Sequence, residues 1–135
     1  MTDWWPSASL VNLTERAKLL AQLRGFFSVR GVLEVETPLL SHATVPDPGI
    51  GVFQVPPDAD DADTEIRYLQ SSPEFAMKRL LAAGAGDIFQ ISKAFRHGEI
   101  GRHHNPEFSL LEWYRLRWDH AALIREVAVL SLIHI

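Results

Sequence analysis

Apolar residues recur every three to four positions from Leu13 through Ala17, Leu20 and Leu23 to Phe27, the spacing of a helix with one buried stripe. Asn12, with Glu15 three residues on, predicts the helix start, because both side chains can satisfy donors left unpaired in a first turn. Gly31 predicts the stop. Residues 32–36 then alternate as a strand, closed by Thr37-Pro38. The pattern breaks over residues 41–64, where four prolines, two glycines and an acidic run at 58–63 deny a regular ladder. One short strand is expected inside this stretch, at 52–55, and the whole of 41–65 reads as a long irregular loop. Residues 67–70 form a strand that leads into Ser71-Ser72-Pro73-Glu74. Ser71 is expected to cap the next helix with Glu74 completing the box, and Pro73 suits a first turn. That helix should turn Phe75, Met77, Leu80 and Leu81 inward and end by Gly84. Asp119 predicts the cap of a last helix, residues 120–130, with Leu123, Val127 and Leu130 facing in.

Between these last two helices lies the most patterned stretch, residues 87–115. It reads as an alternating strand, a charged loop and a second strand with Glu107, Phe108, Glu112 and Tyr114, hence a long-looped hairpin. Side chains two apart share a face, so Phe108, Glu112 and Tyr114 point one way and Leu111, Trp113 and Arg115 the other. A face with two carboxylates, an aromatic ring and a phenol, fed by a loop rich in Arg and His, makes a poor core. It makes a plausible floor for a polar ligand.

Composition narrows the class. The chain has 135 residues, is 47% hydrophobic and has no cysteine, which fits a single small globular domain without disulfides or thiolate metal sites. No apolar run is long enough for a membrane span and the N-terminus lacks signal-peptide features, so a cytoplasmic location is expected. A formal net charge of −4 argues against a broad nucleic-acid surface. Trp4 and Trp5 are expected to cover an edge of the core. His97, His103 and His104 match no common zinc spacing, and no metal ligand is assigned.

The run Phe95-Arg96, then 102–108 (RHHNPEF) and 111–115 (LEWYR), resembles the second signature motif of class II aminoacyl-tRNA synthetases, in the lysyl subgroup. It is closest to the short relatives there that attach a β-lysine to elongation factor P. The helix, glycine, strand and proline over 12–38 resemble the first motif, which in that family forms much of a homodimer interface. Ser72-Pro73-Glu74 with 77–80 (MKRL) is similar to the segment that holds the amino-acid substrate. The resemblance implies an α+β fold, an antiparallel sheet flanked by helices.

The implied reaction joins the carboxylate of (R)-β-lysine, or of lysine, to the α-phosphate of ATP, and the acyl group then passes to a lysine of elongation factor P. Arg96 would be the catalytic cation, since a guanidinium can bridge two anions in a bidentate way. Arg96, His97, Gly98 and Asn105 would line the ATP, with the adenine on Phe108. Ser72, Pro73, Glu74, Glu112 and Tyr114 would hold the amino acid. Mg²⁺ is the implied companion, with its ligands expected in sequence this chain does not contain. One departure stands out: the tRNA enzymes show Arg-x-Glu at the loop start, whereas here the acid follows one residue later, as Glu99.

The family's third motif is missing, so the 135 residues are expected to hold the N-terminal portion of one catalytic domain, incomplete, inactive alone and marginally stable. With the first catalytic helix starting near residue 12, no anticodon-binding barrel is expected before it, and a tRNA substrate is not the expected one. The readings left open are a lysyl-tRNA synthetase catalytic fragment, a non-catalytic amino-acid-binding paralogue and a plain α+β structural domain.

Overall fold

The computed structural model describes residues 4–57 and 65–133. Its central sheet has three strands in the order β1 (Leu33–Glu34), β5 (Ile88–Phe95), β6 (Glu107–Tyr114), with β1 parallel and β6 antiparallel to β5. The hairpin is regular over its full length, from Ile88 opposite Tyr114 to Phe95 opposite Glu107. A second small antiparallel sheet has β4 (Arg67–Leu69) between β2 (Leu40–Ser41) and β3 (Gln54–Val55). The stretch expected to be irregular thus supplies one strand, β3, inside the predicted 52–55, and β2 overlaps it only at Ser41. The acidic run at 58–63 lies outside the described residues.

The main hydrophobic cluster forms on one face of the central sheet, and Ile88 and Ala94 are buried on the other. Helix α1 (Leu10–Ser28) brings Phe27, fully buried, against Phe89 with ring centroids 4.5 Å apart and against Trp113 at 5.6 Å. Phe26 and Val32 complete the buried cluster, with Ile91, Leu111 and Leu130 packed around it. Only the C-terminal half of the predicted stripe is used. Phe27 is buried and Leu20 and Leu23 are half-buried, while Leu13 and Ala17 are exposed, because the sheet ends before it reaches the first turns. The helix also starts earlier than expected: Ser9 is the cap, its Oγ accepting from Asn12 N at 3.1 Å, and Glu15 pairs with Lys18 instead. Trp4 and Trp5 stack on each other, exposed, rather than covering the core. The strand predicted over 32–36 is only Leu33–Glu34, since β1 leaves β5 as the chain approaches Pro38.

Helix α2 (Glu74–Ala82) buries Met77 as predicted, but Phe75 is 45% exposed. Helix α3 (His120–Leu130) starts at the predicted cap, Asp119 accepting from Ala122 N at 2.7 Å. Its buried residue is Glu126, while Leu123 and Val127 are exposed. The reason is Arg115, buried beside it. Its guanidinium donates to both oxygens of Glu126 and, at 3.0 Å, to Asp87, and Trp113 Nε1 donates to Glu126 at 3.0 Å. The helix therefore docks through a buried charge that must face its partner, and Leu123 and Val127 are left outward while Leu130 packs against the core as predicted. Hydrogen bonds and charge from Glu126 and Asp87 hold the Arg115 guanidinium protonated against its own desolvation. No described helix is long and apolar enough to cross a membrane.

Candidate active site

The face of the hairpin opposite the core is where the predicted site residues meet. Alternation along β6 puts Phe108, Leu110, Glu112 and Tyr114 there, and the pairing adds Ala94, Ser92, Gln90 and Ile88 from β5. Glu107 does not join them. It lies one residue out of phase and pairs with Lys93 at 2.8 Å, so the floor has one strand carboxylate where two were expected.

Glu112 is the centre of the arrangement. Ser72 Oγ donates to its Oε2 at 2.8 Å and the Tyr114 hydroxyl to its Oε1 at 2.6 Å. The segment before α2 is thereby tied to the floor of the sheet, across forty positions of sequence. Burial, the hydrogen bond to Glu112 and the negative charges of Glu112 and Glu74 all push the Tyr114 phenol well above its ordinary range. It stays a neutral donor aimed at a carboxylate. The capping box predicted for α2 is not formed by Ser71, which is buried. Ser72 Oγ accepts from Glu74 N at 3.1 Å while donating to Glu112, Pro73 occupies the cap position, and the Glu74 carboxylate pairs with Lys78. Ser72 can serve both partners because a hydroxyl has one donor and two acceptor directions.

Arg96 stands at the end of β5, where the loop begins. Its guanidinium lies over the Phe108 ring, 5.1 Å from the centroid, and Nε reaches the Ser71 carbonyl at 3.4 Å. Glu99 lies 3.7 Å from Nη1, a loose contact that leaves the cation half-open. Cation and ring therefore share one corner with the 71–74 segment, whose Ser72 reaches on to Glu112.

The loop residues are less converged. His97 N donates to the Gly51 carbonyl at 2.9 Å and its ring meets Phe53 edge-on, so this imidazole is turned toward the 50–55 segment. Gly98 has φ +83°, a backbone conformation suited to glycine, and makes the turn out of the strand. Asn105, Arg102, His103 and His104 are exposed. Two polar residues escaped the sequence reading. Glu126 interrupts the α3 stripe between Leu123 and Val127, and a lone acid on an apolar face was the available signal. Gln90, 1% exposed, is the cross-strand partner of Glu112, a relation visible only once the register is known.

A family model described as tRNA synthetases class II (D, K and N) matches residues 3–130. Among curated proteins, the chain is similar to the elongation factor P–(R)-β-lysine ligase of Pectobacterium carotovorum, 56% identical over 129 residues, 93% of this chain and 39% of that protein. Proteins of the same name from Vibrio cholerae (54% over 136 residues, 98% and 41%) and Yersinia enterocolitica (54% over 128 residues, 93% and 39%) are similar to the same degree. The chain thus spans about two fifths of the length of these relatives.

Proposed function

Since the chain belongs to the class II tRNA synthetase family of the D, K and N type, we propose that it is part of an ATP-dependent ligase that activates (R)-β-lysine and transfers it to a lysine of elongation factor P. On this reading it is the N-terminal portion of one catalytic domain. The observation that carries the proposal is the Ser72–Glu112–Tyr114 cluster on the same face as the Arg96–Phe108 pair. An ammonium site and an anion site then stand side by side, as a diamino acid and a triphosphate require.

The chemistry follows from those groups. A carboxylate oxygen of the amino acid attacks the α-phosphorus of ATP, the bond to the bridging oxygen breaks, and pyrophosphate leaves. Arg96 sits between two anions whose charge concentrates at the α-phosphate as the bond forms, so its contact strengthens in the transition state. Glu99 yields to the phosphates, and Phe108 offers a π face to the adenine. His97, Gly98 and Asn105 complete the ATP loop. Glu112 takes the distal ammonium, with Tyr114 holding the carboxylate in place and Ser72, Pro73 and Glu74 forming the wall beside it. In the second step a lysine amine of the acceptor attacks the acyl carbon, loses its proton, and AMP departs. Mg²⁺ commonly neutralises the phosphates in such reactions. Among the described residues no group of three His, Cys, Asp or Glu could hold a metal ion, so no residue of this chain is assigned to it.

The test uses the full-length polypeptide that carries this chain. Pyrophosphate exchange into ATP should depend on (R)-β-lysine or lysine, and mass spectrometry of elongation factor P incubated with ATP and each isomer should find one added β-lysyl group. Glu112→Gln should lower amino-acid-dependent exchange on the order of a hundredfold, because it removes a charge facing a charge. Exchange unaffected by Glu112→Gln defeats the amino-acid assignment, and charging of tRNA with no modified elongation factor P turns the reading to a lysyl-tRNA synthetase.

A further inference from the structure

The amide of Gln90 is a buried polar group for which the proposed chemistry has found no use. Gln90 is 1% exposed, and its Oε1 accepts from the Thr37 hydroxyl at 3.0 Å. Thr37 itself is buried, in the segment that follows β1. Gln90 Nε2 has no hydrogen-bond partner among the described residues, and neither does the buried hydroxyl of Ser92, two positions along the same face. An unmet donor in such a place costs about 1–3 kcal/mol, so its partner is expected to arrive with a change of state.

The register says where that partner stands. Gln90 pairs directly with Glu112, so both side chains rise from the same face with their Cβ atoms about 5 Å apart. A carboxylate has roughly four acceptor directions, two on each oxygen. Ser72 takes one on Oε2 and Tyr114 one on Oε1. One direction on each oxygen is left, one for an incoming ammonium and one for a further donor. Because Thr37 holds the Gln90 oxygen, the nitrogen is the end of the amide free to turn to Glu112.

We propose that Gln90 is a positioning residue for the amino-acid end of the site: when a diamino acid is seated, its amide N–H closes on Glu112 and fixes the carboxylate against the substrate ammonium. The inference rests on Glu112 as the ammonium ligand and adds a second role for the segment after β1, which anchors the amide through Thr37. A charge-assisted hydrogen bond formed only in the loaded state lowers the KM for the amine and leaves the nucleotide step alone.

Steady-state exchange kinetics on the full-length polypeptide separate the possibilities. Gln90→Leu should raise the KM for (R)-β-lysine or lysine about tenfold, with kcat and the KM for ATP within about twofold of wild type. Gln90→Glu keeps an acceptor for Thr37 but sets a second carboxylate against Glu112, and should raise the same KM at least as much. Thr37→Val, which removes only the anchor, should have a smaller effect in the same parameter. A purely structural Gln90 would instead lower Tm and move both KM values together, or neither, and that result overturns the proposal. Should Gln90→Leu fail to fold, the NMR signal of the Gln90 side-chain amide in wild type decides: a shift on titration with the amino acid supports the closure, and an unmoved signal overturns it. Wild type without amino-acid-dependent exchange sinks the functional reading itself, whereas exchange with an unaltered KM in every Gln90 variant removes only this inference.

Discussion

Tyr114 and Glu112 differ by two positions, and their hydrogen bond fixes a proton on the phenol, because a phenolate would bring a third negative charge next to Glu112 and Glu74. The sign of the pH effect follows. The folded-state pKa lies above the unfolded value of 10.0, so above that pH the unfolded chain releases a proton that the folded one keeps. The stability this group contributes is therefore fully present below pH 10 and is lost as pH rises from there through the folded value. Comparing urea midpoints of wild type and Tyr114→Phe at a series of alkaline pH values tests this: the advantage of wild type should shrink only above pH 10. A constant difference would mean that the phenol titrates normally. At this scale the sequence was informative about Glu112 and Tyr114, since alternation alone places them together. It misplaced Glu107, which belongs to the other phase, and it assigned the Ser71 cap to the wrong serine. The two serines are adjacent, and only the entry angle of α2 decides which hydroxyl faces the helix.

At the scale of an element, α3 depends on a charge pair that its apolar pattern does not reveal. Arg115 and Glu126 have side chains 5% and 4% exposed, and Asp87 and Trp113 complete the set. Removing Glu126 leaves the buried guanidinium with Asp87 alone and Trp113 Nε1 without its acceptor, so Glu126→Leu should destabilise the protein by roughly 3 kcal/mol. The double change Arg115→Met with Glu126→Leu should recover most of that loss, since replacing a whole buried pair by apolar groups is often close to neutral. Chemical denaturation of the two variants provides the check, and equal losses would show that the pair is not the cause. Leu123 and Val127 fit a helix stripe equally well on paper. They lose to Glu126 because burying a charge leaves far less choice of partner than burying a leucine.

At the scale of the whole molecule, the most conspicuous uncovered surface is the first half of α1, where Leu10, Val11 and Leu13 are 79%, 69% and 46% exposed. We propose this face as the homodimer contact that the resemblance over 12–38 suggests, since nothing among the described residues covers its apolar side chains. Sedimentation of the full-length polypeptide should give a dimer, and Leu13→Asp should shift it toward monomer; an unchanged mass in the variant would place the contact elsewhere. The hairpin, its facing rule, the helix positions and the Asp119 cap were determined by the sequence alone, because each is set by a local period or by a side chain bonding its own backbone. Other features were decided by the tertiary structure: the pairing of Gln90 with Glu112, the bond from Ser72 to Glu112, the burial of Glu126 and the truncation of the α1 stripe. Each of these joins residues far apart in the chain, and which of them meet depends on strand register and on where the sheet ends, neither of which any local pattern encodes.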